Sequence, residues 1–115
     1  MLDTQAIVTE MTLAAQIAAK EFAVKHFGGT DGGACGFAWV DVYPENRGNT
    51  KLGKQERALL KAMGFRVDWT GKAFQKWDPA NWPGQSIACK EAGAEAAANV
   101  LKKHGFRAYA GSRLD

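Results

Sequence analysis

A chain of 115 residues is long enough for one hydrophobic core and too short for two. Hydrophobic residues make up 46% and charged residues 23%, which excludes wholesale disorder, and no apolar stretch reaches the roughly 18–20 residues of a membrane span. Fifteen Lys and Arg against twelve Asp and Glu give a net charge of +3, too little to hold duplex DNA by charge alone yet compatible with a phosphate-bearing partner.

The start, Met1-Leu2-Asp3-Thr4, lacks the basic residues and long apolar run of a secretory signal, so a cytoplasmic protein is expected. Residues 3–27 carry Ile7, Met11, Ala14, Ala18 and Phe22 at helical spacing and stop at Gly28-Gly29. Their small residues (Ala14, Ala15, Ala18, Ala19, Ala23) suit close approach to another surface. Residues 28–33 read as a flexible linker. A strand follows over Gly36–Tyr43, with Ala38, Val40 and Val42 on one face and Phe37, Trp39, Asp41 and Tyr43 on the other. A polar loop leads to a helix over Leu52–Met63, closed by Gly64. Strands over Phe65–Trp69 and Ala73–Trp77 form a hairpin about Thr70-Gly71. After the loop Asp78–Gly84 comes an Ala-rich helix, Ser86–His104, with Ser86 as its N-cap, then Gly105 and a last strand, Phe106–Ala110.

Leu60-Lys61-Ala62-Met63-Gly64-Phe65-Arg66 recurs as Leu101-Lys102-Lys103-His104-Gly105-Phe106-Arg107. Both copies are a helix end, a glycine cap and a strand start. They stand at equivalent places in the order β-α-β, β-α-β, which predicts a single α+β domain over 1–115: an N-terminal helix, the linker, and a ferredoxin-like βαββαβ split sheet over 34–115. Another α+β arrangement remains the alternative. In the split sheet the helix-facing set is Ala38, Val40, Val42, Phe65, Val67, Trp69, Phe106, Ala108 and Ala110. The opposite face carries Phe37, Trp39, Asp41, Tyr43, Arg66, Asp68, Arg107 and Tyr109. That mixture is too apolar to be merely solvated, and the N-terminal helix or a second copy of the chain is the expected cover. Homo-oligomerisation through either is open.

Three features carry candidate chemistry. The aromatic and basic face, with Trp39, Tyr43, Arg66, Arg107 and Tyr109, has residue types that stack bases and pair phosphates. The strand Gly71-Lys72-Ala73-Phe74-Gln75-Lys76-Trp77 resembles the third-strand signature of RNA-recognition-motif domains, although Lys72 and Gln75 depart from it. Next, Gly48-Asn49-Thr50-Lys51-Leu52-Gly53-Lys54-Gln55 satisfies the G-x-x-x-x-G-K part of a P-loop, but Gln55 stands where the magnesium-binding hydroxyl belongs. The loop is read either as an anion site of Arg47, Asn49, Thr50, Lys51 and Lys54 at a helix N-terminus, or as plain capping by Thr50. Finally, the loop between Trp77 and Trp82 either folds back on the domain or serves as a partner surface.

Cys35 and Cys89 stand far apart, and two histidines without a paired-cysteine motif argue against structural zinc. No nucleophile elbow, H-E-x-x-H or paired carboxylates are present, so no catalytic residue and no cofactor is assigned. From Gly36 onward, the segments Gly36-Phe37-Ala38-Trp39-Val40, Gly48–Lys54 and Gly111-Ser112-Arg113-Leu114-Asp115 resemble a group of small bacteriophage and prophage accessory proteins. The resemblance implies an accessory protein acting in the bacterial cytoplasm and brings no activity or site with it. The combined expectation is a non-enzymatic protein that binds a phosphate-rich ligand, nucleic acid or a signalling nucleotide, to counter host defence. The rival is a protein–protein inhibitor of a bacterial defence enzyme, and an enzyme acting on nucleotides is the third class.

Overall fold

Asp3 starts the first helix: its carboxylate accepts the Ala6 amide at 3.1 Å, and α1 (Thr4–Phe27) then runs to Gly28, which closes it at φ 68°. The computed structural model describes residues 3–115, and the two residues at the start of the expected domain range, Met1 and Leu2, lie outside them. The remaining elements are β1 (Gly36–Val42), α2 (Lys51–Ala62), β2 (Arg66–Val67), β3 (Phe74–Trp77), α3 (Ile87–Lys103) and β4 (Ala108–Leu114). They make a mixed α and β fold with a four-stranded sheet in the order β2-β3-β1-β4, antiparallel at every pairing.

Alternation in β1 decides the layering. Ala38, Val40 and Val42 are buried beneath α3, and α2 joins the same core through Leu60, with Met63, Phe65, Phe74 and Leu101 completing it. A leucine as enclosed as Leu60 makes the packing intolerant of truncation, and Leu60→Ala should cost about 2–5 kcal/mol.

The N-terminal helix does not cover the aromatic sheet face, contrary to expectation; it lies antiparallel along α3. Glu10 reaches Lys103 and His104 at one end of the pair, and Gly93 meets Ala15 and Ala19 farther along. Its buried stripe is Ile7, Met11, Ala15, Ala19 and Ala23, a step of four. With alanine on one helix and Gly93, Ala94, Ala97 and Ala98 on the other, the backbones approach closely enough to bury an almost featureless helix.

Three further expectations are corrected at the strand ends. β2 is only two residues long, because Asp68 is drawn into the turn, where its carboxylate accepts from the Thr70 hydroxyl at 2.7 Å and the Ala73 amide at 3.3 Å. Val67 and Trp69, expected in the core, are exposed, and Trp69 at the tip of the turn is 94% exposed. β4 continues through Gly111 and Ser112 to Leu114, where the Ser112 hydroxyl donates to Glu91 of α3 at 2.7 Å, and Ala110, expected in the core, is exposed in an open cleft between β4 and α3.

Candidate nucleic-acid interface

The face of the sheet away from the helices is built row by row from strand register. Phe37 stands opposite Arg113; Trp39 lies between Gly111 and Trp77; Asp41 lies between Tyr109 and Gln75, with Arg66 beyond. Tyr43 and Arg107 extend the face past the end of β1, joined by the Tyr43 amide donating to the Arg107 carbonyl at 2.9 Å.

Aromatic contacts divide the face into two clusters. In the first, the Trp39 and Trp77 indoles stack at 4.8 Å and 28°, and Phe37 tilts against Trp77 at 5.8 Å. The Arg113 guanidinium lies 5.5 Å from the Phe37 ring and 5.8 Å from that of Trp77, a cation–π arrangement. Trp39 lies against the bare backbone of Gly111: a Cβ there would stand 2.5 Å from the indole nitrogen. Both indole N–H groups are engaged within the face, Trp39 with Asp41 Oδ2 at 3.1 Å and Trp77 with Gln75 Oε1 at 3.2 Å. Ring orientation is therefore fixed before any ligand arrives, and Trp77 remains 46% exposed. In the second cluster Tyr43 and Tyr109 meet edge to face at 5.9 Å, with the Lys102 ammonium 5.5 Å from the Tyr109 ring. Asp41, between the clusters, keeps one oxygen buried without a hydrogen-bond partner among the described residues.

The sequence-predicted residues fall into separate places. Trp39, Tyr43, Arg66, Arg107 and Tyr109 share the open face, and Trp77 joins them there. The third-strand resemblance does not extend to orientation, since Phe74 is turned into the core. Lys102 reaches the face from α3 and Gln75 from β3, contacts that no single segment announces, and Arg113 escaped because Gly111-Ser112 looked like a strand end. The alternation Tyr109, Gly111, Arg113 was the available signal.

Arg47, Asn49, Thr50, Lys51 and Lys54 form a different region, at the start of α2. Thr50 caps the helix: its hydroxyl accepts the Gly53 amide at 3.0 Å and donates to the Arg47 carbonyl at 2.6 Å. The glycine of the P-loop-like sequence is required by packing, because a Cβ on Gly53 would stand 1.8 Å from the Arg47 carbonyl oxygen. Glu56 accepts the amides of Glu45 and Asn46 at 2.8 and 3.0 Å, and Arg57 donates to the carbonyls of Asn46 and Gly53 at 2.8 and 3.0 Å. The loop's polar groups are largely spent on its own closure, while Arg47, Lys51 and Lys54 are exposed.

Trp82 folds back. Its indole donates to Asp31 Oδ1 at 2.6 Å, and the same carboxylate accepts the Gln85 and Ser86 amides at 2.9 and 3.1 Å. Those bonds, the Trp82 one foremost, hold the Asp31 carboxyl below its ordinary range. The segment expected as a flexible linker is thus tied to the loop before α3. Among the described residues no group of three or more His, Cys, Asp or Glu converges as a metal site, and no helix is long and apolar enough to cross a membrane. No family model, no curated protein and no solved structure matches this chain.

Proposed function

We propose that the open sheet face binds single-stranded nucleic acid without catalysis, the bases stacking on the Trp77/Trp39 and Tyr109/Tyr43 clusters and the phosphates pairing with Arg113, Arg107, Arg66 and Lys102. The observation that carries this reading is the Trp39–Trp77 stack. Its N–H groups are already satisfied and the Trp77 ring is partly uncovered, with a guanidinium alongside. Aromatic faces accept any base, and arginine supplies both phosphate pairing and stacking. A run of bases uses both clusters, whereas a single nucleotide uses one, so a strand is favoured over a free nucleotide. The strand order taken from the other edge, β4-β1-β3-β2, with α2 and α3 as crossovers, supports reading the domain as the ferredoxin-like split, a layout that leaves one sheet face free for such a ligand. A role as a bacteriophage accessory protein in the bacterial cytoplasm, directed against host defence, rests on the sequence resemblance alone.

The test is fluorescence anisotropy with a labelled oligothymidylate. Stacking is worth about 1–3 kcal/mol per base, so Trp77→Ala should weaken binding roughly 5- to 150-fold. Undiminished binding by the folded variant, or no binding by the parent chain at low salt, removes the proposal. The rival, an inhibitor of a defence enzyme, draws on one observation of its own: Trp69 projects almost fully into solvent, as a protein-binding anchor would. Co-purification with a host protein that Trp69→Ala abolishes would support it.

A further inference from the structure

The two edges of the sheet are not equally protected against pairing with another strand. β2 offers only two residues, a short edge of the kind that discourages association. β4 is seven residues long, regular, and without proline, bulge or an inward-pointing charge. Its backbone parity is fixed by two hydrogen bonds to neighbouring chain: Tyr43 N–H to the Arg107 carbonyl, and Asp115 N–H to the Cys35 carbonyl at 3.1 Å. Arg107, Tyr109, Gly111, Arg113 and Asp115 therefore direct their backbone groups to the β1 side. Ala108, Ala110, Ser112 and Leu114 present theirs outward, where the described residues supply no further strand.

The geometry points to a symmetric dimer in which β4 pairs antiparallel with β4 of a second copy, about a twofold axis at Gly111. In that register Ala108 faces Leu114 and Ala110 faces Ser112 as hydrogen-bonded pairs, so the outward backbone groups satisfy one another. The alternate pairs, where side chains come closest, set Arg107 opposite Asp115 and Tyr109 opposite Arg113. One is an ion pair and the other a cation–π contact. Sliding by two residues one way puts Arg107 against Arg113, two like charges. Sliding the other way shortens the overlap and leaves Arg113 opposite Gly111. A one-residue slip sets outward groups against inward ones and breaks the ladder. Only the register centred on Gly111 matches charge and backbone together. The joined strands make one sheet of two copies with both open faces on the same side, and a closed pair removes the exposed edge. The pairing uses the outward backbone, so it stands whether or not the face binds nucleic acid.

Sedimentation velocity on the full chain provides the test, with the dimer expected to dissociate in the micromolar range. Ala110→Pro deletes an outward N–H that the monomer does not use, so the variant should keep its circular dichroism and sediment as a monomer. Should proline disturb folding, the charge pair decides: Arg107→Asp should weaken the dimer at least several-fold, and Arg107→Asp with Asp115→Arg should restore it. A parent chain that stays monomeric into the millimolar range overturns the inference. So does a dimer indifferent to folded Ala110→Pro, or one insensitive to the charge reversal. Dissociation by Ile17→Glu with Ala110→Pro still dimeric would place the contact on α1 and equally overturn it.

Discussion

Two regions of this domain gather positive charge, and they differ in what their polar groups are already doing. Around the start of α2, Thr50, Glu56 and Arg57 consume the amides and carbonyls of the preceding loop, and Gly53 is there to let the Arg47 carbonyl approach. On the open sheet face the hydrogen bonds are spent at the ring edges, which orients the indoles and leaves ring area uncovered, with the Arg113 guanidinium held, among the described residues, only by the Phe37 and Trp77 rings. A sequence motif that resembles a phosphate loop can thus be a closed structural unit, while the proposed binding surface lies where no motif is continuous in sequence.

Substitutions distinguish the two regions. The largest effect is expected for Trp39→Ala combined with Trp77→Ala, which removes one whole stacking platform and should lower oligonucleotide affinity about 100-fold or more in an anisotropy titration. Gly111→Val is next: its Cβ would occupy the space of the Trp39 indole, and a loss of roughly tenfold is expected as the stack is displaced, read by the same titration. Arg113→Ala should follow, with a loss of several-fold and a salt slope shallower by about 0.7, as for one lost phosphate contact on a single strand. Lys51→Ala with Lys54→Ala should change affinity by less than about threefold, by lowering the general potential only. Should this last pair match the tryptophan variants, the assignment of the two regions is reversed.

Asp31→Ala should leave binding unchanged and act on stability, since it strands the Trp82 indole and two amides. The sign of its pH dependence follows from a carboxyl held below its ordinary range in the folded state. The contribution is complete above the unfolded carboxylate pKa, near 3.8, and is lost as pH falls through that value and below. The Tm difference between parent and variant should therefore narrow on acidification, as measured by calorimetry between neutral pH and about pH 3.

Much of the fold was legible in the sequence because its signals are local. Helix caps at Thr50 and Ser86 and the alternation of Gly36–Val42 are written in neighbouring residues, and the elements fall within a few positions of expectation. The cover of the sheet was misjudged because an alanine-rich helix can bury itself against any small-residue surface, and α3 supplies one. The β2 strand was overextended because Val67 and Trp69 alternate as a strand would, whereas Asp68 captures the chain in a turn. Within the site, Trp39, Tyr43, Arg66, Arg107 and Tyr109 followed from alternation alone. Their grouping with Trp77 and Arg113 depends on cross-strand register, which no single segment encodes.

The most direct test of the open-face account is an amide and indole chemical-shift titration of the full chain with oligothymidylate. The prediction is that the indole N–H signals of Trp39 and Trp77 and the amide of Gly111 move first and furthest, while the amides of Arg47 to Lys54 stay nearly still. Movement confined to Arg47–Lys54, with both indole signals unchanged at saturation, would contradict it.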